Sequence, residues 1–241
     1  MLSILYYIFT VIHTTVWCII SALVLAVTYP FDRSRRLVHE CSRYMTWVFF
    51  GLPPRVRRTI DGVENIDRRK SYVIVLNHTS GVDIIAAYKI PLNFRWVSKR
   101  EVFRIPFFGP MLLVHGDIPI ERGNAAAAMA KVVHQGKIWL GLGASVAIFP
   151  EGTRSKDGFK AGAFTLAKEA GVEILPVVMT GTATMFRGWR MNWTNRIRIR
   201  VLPPVSVEEA ASMEIKELAQ TVQERMTTAL AELRGEEAKR G

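Results

Sequence analysis

Residues 4–29 form an almost unbroken apolar and aromatic run, and no Lys, Arg, Asp or Glu precedes Asp32. As a helix rising ~1.5 Å per residue, the run would reach ~39 Å, more than the ~30 Å hydrocarbon core of a bilayer. No positive residue precedes it and no small-residue cleavage site ends it, which argues against a secretory leader. His13 reads as a tolerated polar interruption. Arg33, Arg35, Arg36 and Arg43 follow, then a shorter apolar patch over residues 44–52 that ends at Pro53-Pro54. That patch is too short to span, but fits an amphipathic helix in the interface with arginines among the headgroups. Two topologies stay open: one crossing with the arginines cytoplasmic, or a two-helix hairpin embedded in one leaflet. Both leave the remainder of the chain on the cytoplasmic face of a membrane.

From Arg55 the pattern changes to strands alternating with helices. Short β-branched runs predict strands over residues 57–62, 71–76, 94–98, 117–120, 145–149 and 174–178. Helices are expected over 83–89, 106–114, from an Asn124 cap toward Leu140, and over 161–170 with Gly171 as the stop. Ile197, Ile199 and Val201 alternate with Arg196, Arg198 and Arg200, as in an edge strand with one wet basic face. Ile215, Leu218, Val222, Met226, Leu230 and Leu233 recur at three and four, which marks an amphipathic helix packing back on the domain. The expected fold class is α/β, a central mostly parallel or mixed sheet covered by helices on both faces, with an N-terminal membrane-associated helical segment. The expected domains are residues 1–54, the anchoring helices, and 55–241, the catalytic domain.

Composition refines this picture in two ways. Of 241 residues 49% are hydrophobic and 22% charged, which excludes general disorder. The two cysteines, Cys18 and Cys41, have no CxxC spacing, as expected for a reducing compartment. The net charge of +11 is uneven: residues 1–205 hold 27 Lys and Arg against 13 Asp and Glu, and residues 206–241 hold 5 against 8. A basic excess suits nucleic acid, an anionic membrane or an acidic partner, and does not choose among them.

Candidate chemistry begins where the strand of residues 71–76 ends, at Asn77-His78-Thr79-Ser80-Gly81-Val82-Asp83. Residues five apart on one helix point about 140° away from each other, so His78 and Asp83 meet only if His78 is still in the loop. Asp83 would then fix the imidazole tautomer and leave the other nitrogen free as a general base. The same letters also make a capping box, Ser80-x-x-Asp83, in which Asp83 serves only its helix end. Three further stretches place cations at strand ends: Lys99 to Gly109, Gly116 to Arg122, and Phe149-Pro150-Glu151-Gly152-Thr153-Arg154-Ser155. Any one alone fits a solvated surface; together they suit a phosphate group. The five histidines show no metal-ligand spacing, and neither a Gly-x-Ser-x-Gly elbow nor a nucleic-acid motif is present.

In order, these blocks resemble the glycerolipid acyltransferase family, and within it the 1-acylglycerol-3-phosphate acyltransferases. The His-x4-Asp block lies at 77–83, Gly-x-Ile-x-Ile-x-Arg at 116–122, Phe-Pro-Glu-Gly-Thr-Arg-Ser at 149–155, and an apolar-Pro block at Ile174-Leu175-Pro176-Val177. The resemblance covers about residues 57–180. It implies His78 as general base and Asp83 as its orienting partner. It also implies Lys99, Arg122 and Arg154 as holders of the acceptor phosphate, Glu151, Gly152 and Thr153 around the acceptor site, and Pro176 in the wall near the acyl group. The implied reaction moves an acyl group from acyl-coenzyme A or acyl-carrier protein, a co-substrate rather than a cofactor, to lysophosphatidic acid in the bilayer. No cofactor, metal or nucleic acid is expected. The alternatives are another lysolipid acceptor, or a basic membrane-anchored scaffold without catalysis.

Overall fold

The computed structural model describes residues 2–51, 56–121, 124–151 and 158–238. Two helices lead, α1 (Leu2–Thr28) and α2 (Arg36–Gly51). There follow β1 (Arg57–Asp61), β2 (Val73–Leu76), α3 (Val82–Ala86), β3 (Phe94–Lys99), α4 (Gly109–His115), β4 (Ile118–Ile120), α5 (Ala125–Gly141) and β5 (Ser145–Ile148). The chain continues through α6 (Gly162–Ala170), β6 (Ile174–Thr180), the hairpin β7 (Phe186–Arg187) and β8 (Arg190–Met191), β9 (Arg196–Val201), α7 (Val207–Ser212) and α8 (Ile215–Ala238).

Seven strands form one sheet in the order β1-β9-β6-β2-β5-β3-β4. The five from β6 to β4 are parallel, β9 runs antiparallel to β6, and β1 runs parallel to β9. The expected α/β class and mixed sheet are observed. β2 lies at the centre and is buried on both faces, as its β-branched run requires: Ile74 and Leu76 pack toward α2 and α3, Val73 and Val75 toward α6 and α8. Asn124 caps α5 by accepting from the Ala127 N–H (2.9 Å), and Gly171 ends α6 with φ +61°.

Two expectations change. The helix expected over 106–114 starts only at Gly109, after a 3-10 turn at Arg100–Arg104. The basic strand β9 is not an edge, because β1 pairs outside it. Nor is its basic face wet throughout. Arg198 and Arg200 each reach Glu236 of α8 (2.7 Å), Arg198 also meets Asp61 (3.3 Å), and Arg200 meets Glu232 (3.6 Å). The acidic C-terminal stretch is thus the counter-layer for the basic strand.

α1 is fastened to α2 and, near its start, to the β7–β8 hairpin. Tyr6 donates to the Phe49 carbonyl (2.6 Å), Tyr7 to the Trp189 carbonyl (3.0 Å), and Ser3 Oγ accepts from the Met191 N–H (3.3 Å). His13 is buried and bonds the Met45 carbonyl (3.0 Å), so it has a structural partner. At the other end of α1, Arg35 donates to the Leu113 and Val114 carbonyls (3.1 and 2.8 Å), while Arg95 donates to the Ser34 and Arg35 carbonyls. Arg95 is fully buried beside a chain of side chains. Asp117 can only accept, so His115 carries its proton on Nδ1 (2.7 Å), and His115 Nε2 accepts from His39 Nδ1–H (3.0 Å) and Arg95 (3.2 Å). Burial, foremost, holds both histidines below their usual range; the neighbouring Arg95 charge acts the same way, and Asp117 opposes it at His115.

A histidine depressed on folding binds its proton more readily in the unfolded chain, so this stability is present above the ordinary value of 6.5 and is lost as pH falls below it. Each histidine can remove at most about 1.4 kcal/mol per pH unit there. Denaturant midpoints of the detergent-solubilised protein should therefore fall between pH 6.5 and 5. A flat profile would contradict the neutral assignment.

Candidate active site

The site begins where β2 stops. At its end the Asn77 side chain replaces main-chain pairing: Nδ2 donates to the Met179 carbonyl (3.0 Å) and Oδ1 accepts the Met179 N–H (2.7 Å). This buried amide ties the end of β2 to β6 and frees the next residue to leave the sheet. His78 therefore sits in the loop, as the five-residue spacing demands.

Asp83, in the first turn of α3, is completely buried. Its Oδ2 accepts from His78 Nδ1–H (2.9 Å) and from the Thr79 and Ser80 N–H groups (2.6 and 2.8 Å). Orienting the imidazole and closing the turn are thus one interaction, so Asp83 does not serve its helix end alone. Ser80 Oγ accepts from the Val82 N–H (3.2 Å) at the same helix start. With Nδ1 protonated, His78 presents a lone pair on Nε2, which makes no hydrogen bond among the described residues. The His78 side chain keeps 23% of its surface exposed against 0% for Asp83, so the imidazole reaches solvent while its partner does not.

Two aromatic planes back this imidazole, making a stack of three rings. His78 stacks on Phe149 (centroids 4.2 Å, 21°), and Phe149 stacks on Trp96 (4.9 Å, 19°). These rings come from the ends of β2 and β5 and from the middle of β3. Thr79 Oγ1 meets Thr182 Oγ1 (3.0 Å) just beyond β6. Gly181, one residue earlier, lets the chain pass close to the start of β9: at φ +80°, a Cβ there would lie 1.9 Å from the Arg196 carbonyl oxygen.

Glu151 follows β5 and stands beside the pair. Its half-buried carboxyl is pushed up by burial, opposed by a hydrogen bond from the His78 backbone and by the His78 charge. A small cavity of about 120 Å³ opens between Asn77, Glu151 and α8, with Phe159, Gln223 and Met226 on its walls. Lys99 ends β3 opposite Ile120 of β4, and Arg100 pairs with Glu121. Because β6, β2, β5, β3 and β4 are parallel neighbours, their carboxyl ends form one rim, at ~4.8 Å per strand. His78, Asp83, Glu151 and Lys99 all lie along it. Arg122, Gly152, Thr153 and Arg154 lie outside the described residues. Pro176 is buried in β6 opposite Val75, inside the sheet.

Sequence reading named Asn77 and Phe149 only as letters of their blocks, and Trp96 and Thr182 not at all. The signal for Asn77 was a lone amide directly after an apolar strand. No local signal announces the aromatic stack, which is made by three strands.

A family model described as "Acyltransferase" matches residues 57–180. A 1-acyl-sn-glycerol-3-phosphate acyltransferase of Chlamydomonas reinhardtii is 36% identical over 172 residues, 69% of this chain and 50% of its own. A chloroplastic enzyme of the same name from Arabidopsis thaliana is 33% identical over 177 residues, 71% and 49% of the two chains. One from Salmonella typhimurium is 33% identical over 197 residues, 79% of this chain and 78% of its own. The chain thus spans about half the length of the algal and chloroplastic relatives. In fold it is similar to the crystal structure of the 1-acyl-sn-glycerophosphate (LPA) acyltransferase of Thermotoga maritima, with a TM-score of 0.67 at 22% identity, covering 95% of this chain and 98% of that one.

The Asn77 hook is directly testable. Asn77→Ala strands the buried N–H and carbonyl of Met179, and should lower the unfolding free energy by about 2–4 kcal/mol. Chemical denaturation of wild type and variant in the same detergent measures it, and equal midpoints would show that the hook does not hold the strand end.

Proposed function

The chain belongs to the glycerolipid acyltransferase family, and from that premise we propose that it transfers a fatty acyl group from an acyl thioester to the free sn-2 hydroxyl of lysophosphatidic acid, giving phosphatidic acid. The observation that carries this reading is the His78–Asp83 pair at the rim of the sheet, with Nε2 open to solvent. In this proposal Nε2 takes the hydroxyl proton as the oxygen attacks the thioester carbonyl. The tetrahedral adduct then expels the thiolate, which receives the same proton from His78. Asp83, already bound by three donors, stabilises the imidazolium formed between the two steps.

Lys99, Arg122 and Arg154 are proposed to hold the acceptor phosphate, with Glu151, Gly152 and Thr153 around the acceptor. Lys suits phosphate as a point charge and Arg as a planar fork. The donor is acyl-coenzyme A or acyl-carrier protein, with no cofactor or metal. Another lysolipid as acceptor is the second reading, favoured if phosphate proves dispensable.

The substrate class fits a membrane setting. α1 is the one helix among those described that is long and apolar enough to cross a membrane. Its outer stripe, Ile4, Ile8, Ile12, Ile19, Leu23 and Val27, is more than half exposed. Yet both its ends are bonded to the α/β domain, near Met191 and through the Ser34-Arg35 turn. A helix so fastened lies along the domain, and we infer that it is embedded in one leaflet, with the rim facing lipid from the cytoplasmic side.

Transfer of a labelled acyl group from each donor to lysophosphatidic acid should be readily measured for the detergent-purified wild type. His78→Ala should reduce it by roughly 10²–10⁴-fold in protein that still unfolds cooperatively, at a somewhat lower midpoint because Asp83 loses one of its three donors. Product made equally by both proteins would sink the base assignment; product from neither donor, or a preference for a phosphate-free lysolipid, would sink the proposed reaction.

A further inference from the structure

A cationic pocket lies away from the rim. It is a cavity of about 530 Å³ between α2, the edge strand β1 and the 3-10 turn Ala87–Lys89. Arg43, Arg58, Arg68 and Lys89 line it, and among the described residues the one carboxylate in its wall is Glu40. That carboxylate is already taken, since Arg43 Nη1 bonds both its oxygens (2.9 and 3.0 Å). Arg58, Arg68 and Lys89 make no ion pair among the described residues.

The cations are gathered rather than dispersed. The Arg58 guanidinium lies over the Phe50 ring (4.2 Å), and its Nη1 is buried without a hydrogen-bond partner among the described residues, as is Arg43 Nε. Burial pushes the Arg58 guanidinium down to about 10. Lys89 is lowered by burial and then by the charges of Arg58 and Arg43. Orphaned buried donors and unrelieved like-charge repulsion are both costly, and one bound anion cures both. Two forked guanidiniums beside an ammonium match a phosphate.

The mouth of the pocket identifies where that phosphate comes from. Trp47 and Tyr44 line it and are 67% and 60% exposed, as aromatic residues at headgroup depth are. Both stand on α2, which packs beside the exposed aliphatic stripe of α1. We propose that this pocket is a second, non-catalytic site that binds the phosphate of an anionic membrane lipid. It lies at the opposite end of the α3 segment from His78, with β9 and β6 between β1 and β2. The proposal does not depend on acyl transfer.

Thermal unfolding of the full chain in a non-ionic detergent, titrated with dihexanoyl phosphatidylglycerol, dihexanoyl phosphatidylcholine or inorganic phosphate, tests it. Phosphatidylglycerol should raise the midpoint of the wild type, the choline lipid should not, and phosphate should act only at much higher concentration. Arg58→Gln with Lys89→Gln should be at least as stable as wild type without lipid, yet need roughly tenfold or more phosphatidylglycerol for the same shift. Lys216→Gln with Arg234→Gln, which removes equal charge from the exposed face of α8, should respond like wild type. Lys89→Gln alone makes the same comparison if the double variant is unstable. Unchanged titration of the pocket variants would overturn the site, and phosphate as effective as phosphatidylglycerol would overturn the lipid as its source.

Discussion

One buried oxygen, Oδ2 of Asp83, fixes the local structure on which the site depends. A carboxylate with no exposed surface is sustained only where donors replace its water, and here an imidazole and two successive backbone N–H groups do so. The same three bonds set the path of the loop, the start of α3 and the tautomer of His78. The five-residue spacing follows: any closer, and the histidine would join the helix; any farther, and the backbone donors would fall out of reach.

The sheet supplies what this local cluster cannot. Parallel order from β6 to β4 collects residues distant in sequence on one rim, and the Asn77 hook decides where β2 ends and the rim begins. The reversed pair β9 and β1 closes the other side. There, ion pairs of Arg198 and Arg200 with Glu236 add to the apolar packing that joins α8 to the sheet. The excess of acid after residue 205 thereby acquires a structural meaning.

Local features of the fold were legible in the sequence. β-branched runs marked β2, β5 and β6, and Asn124 and Gly171 marked helix ends, because each signal is complete within a few residues. The His78–Asp83 pair was legible for the same reason. What escaped was non-local. The alternation of Arg and Ile in β9 records two different faces but not what covers them, and the cover arrives more than thirty residues later. His39 and His115 are 76 apart, and neither has a neighbour in sequence that announces the other. His13 likewise needed Met45 to become intelligible. Of the phosphate-binding candidates, the structure describes Lys99 at the end of β3, whereas Arg122 and Arg154 fall outside its described residues.

The bond between the Ser34-Arg35 turn and Arg95 bears on how the protein can be handled. Arg95 is wholly interior, and its guanidinium is satisfied largely by carbonyls of that turn and by His115, itself shared with His39 of α2. A truncation at residue 55, designed to yield a water-soluble enzyme, would uncap a positive charge in the middle of the fold and strip Tyr6, Phe49 and Phe50 from its hydrophobic core. The greasy helices are therefore not a detachable tether. Amphiphile dependence is built into the architecture, and any effort to improve solubility has to repaint the outer stripe of α1 while leaving its inner face intact.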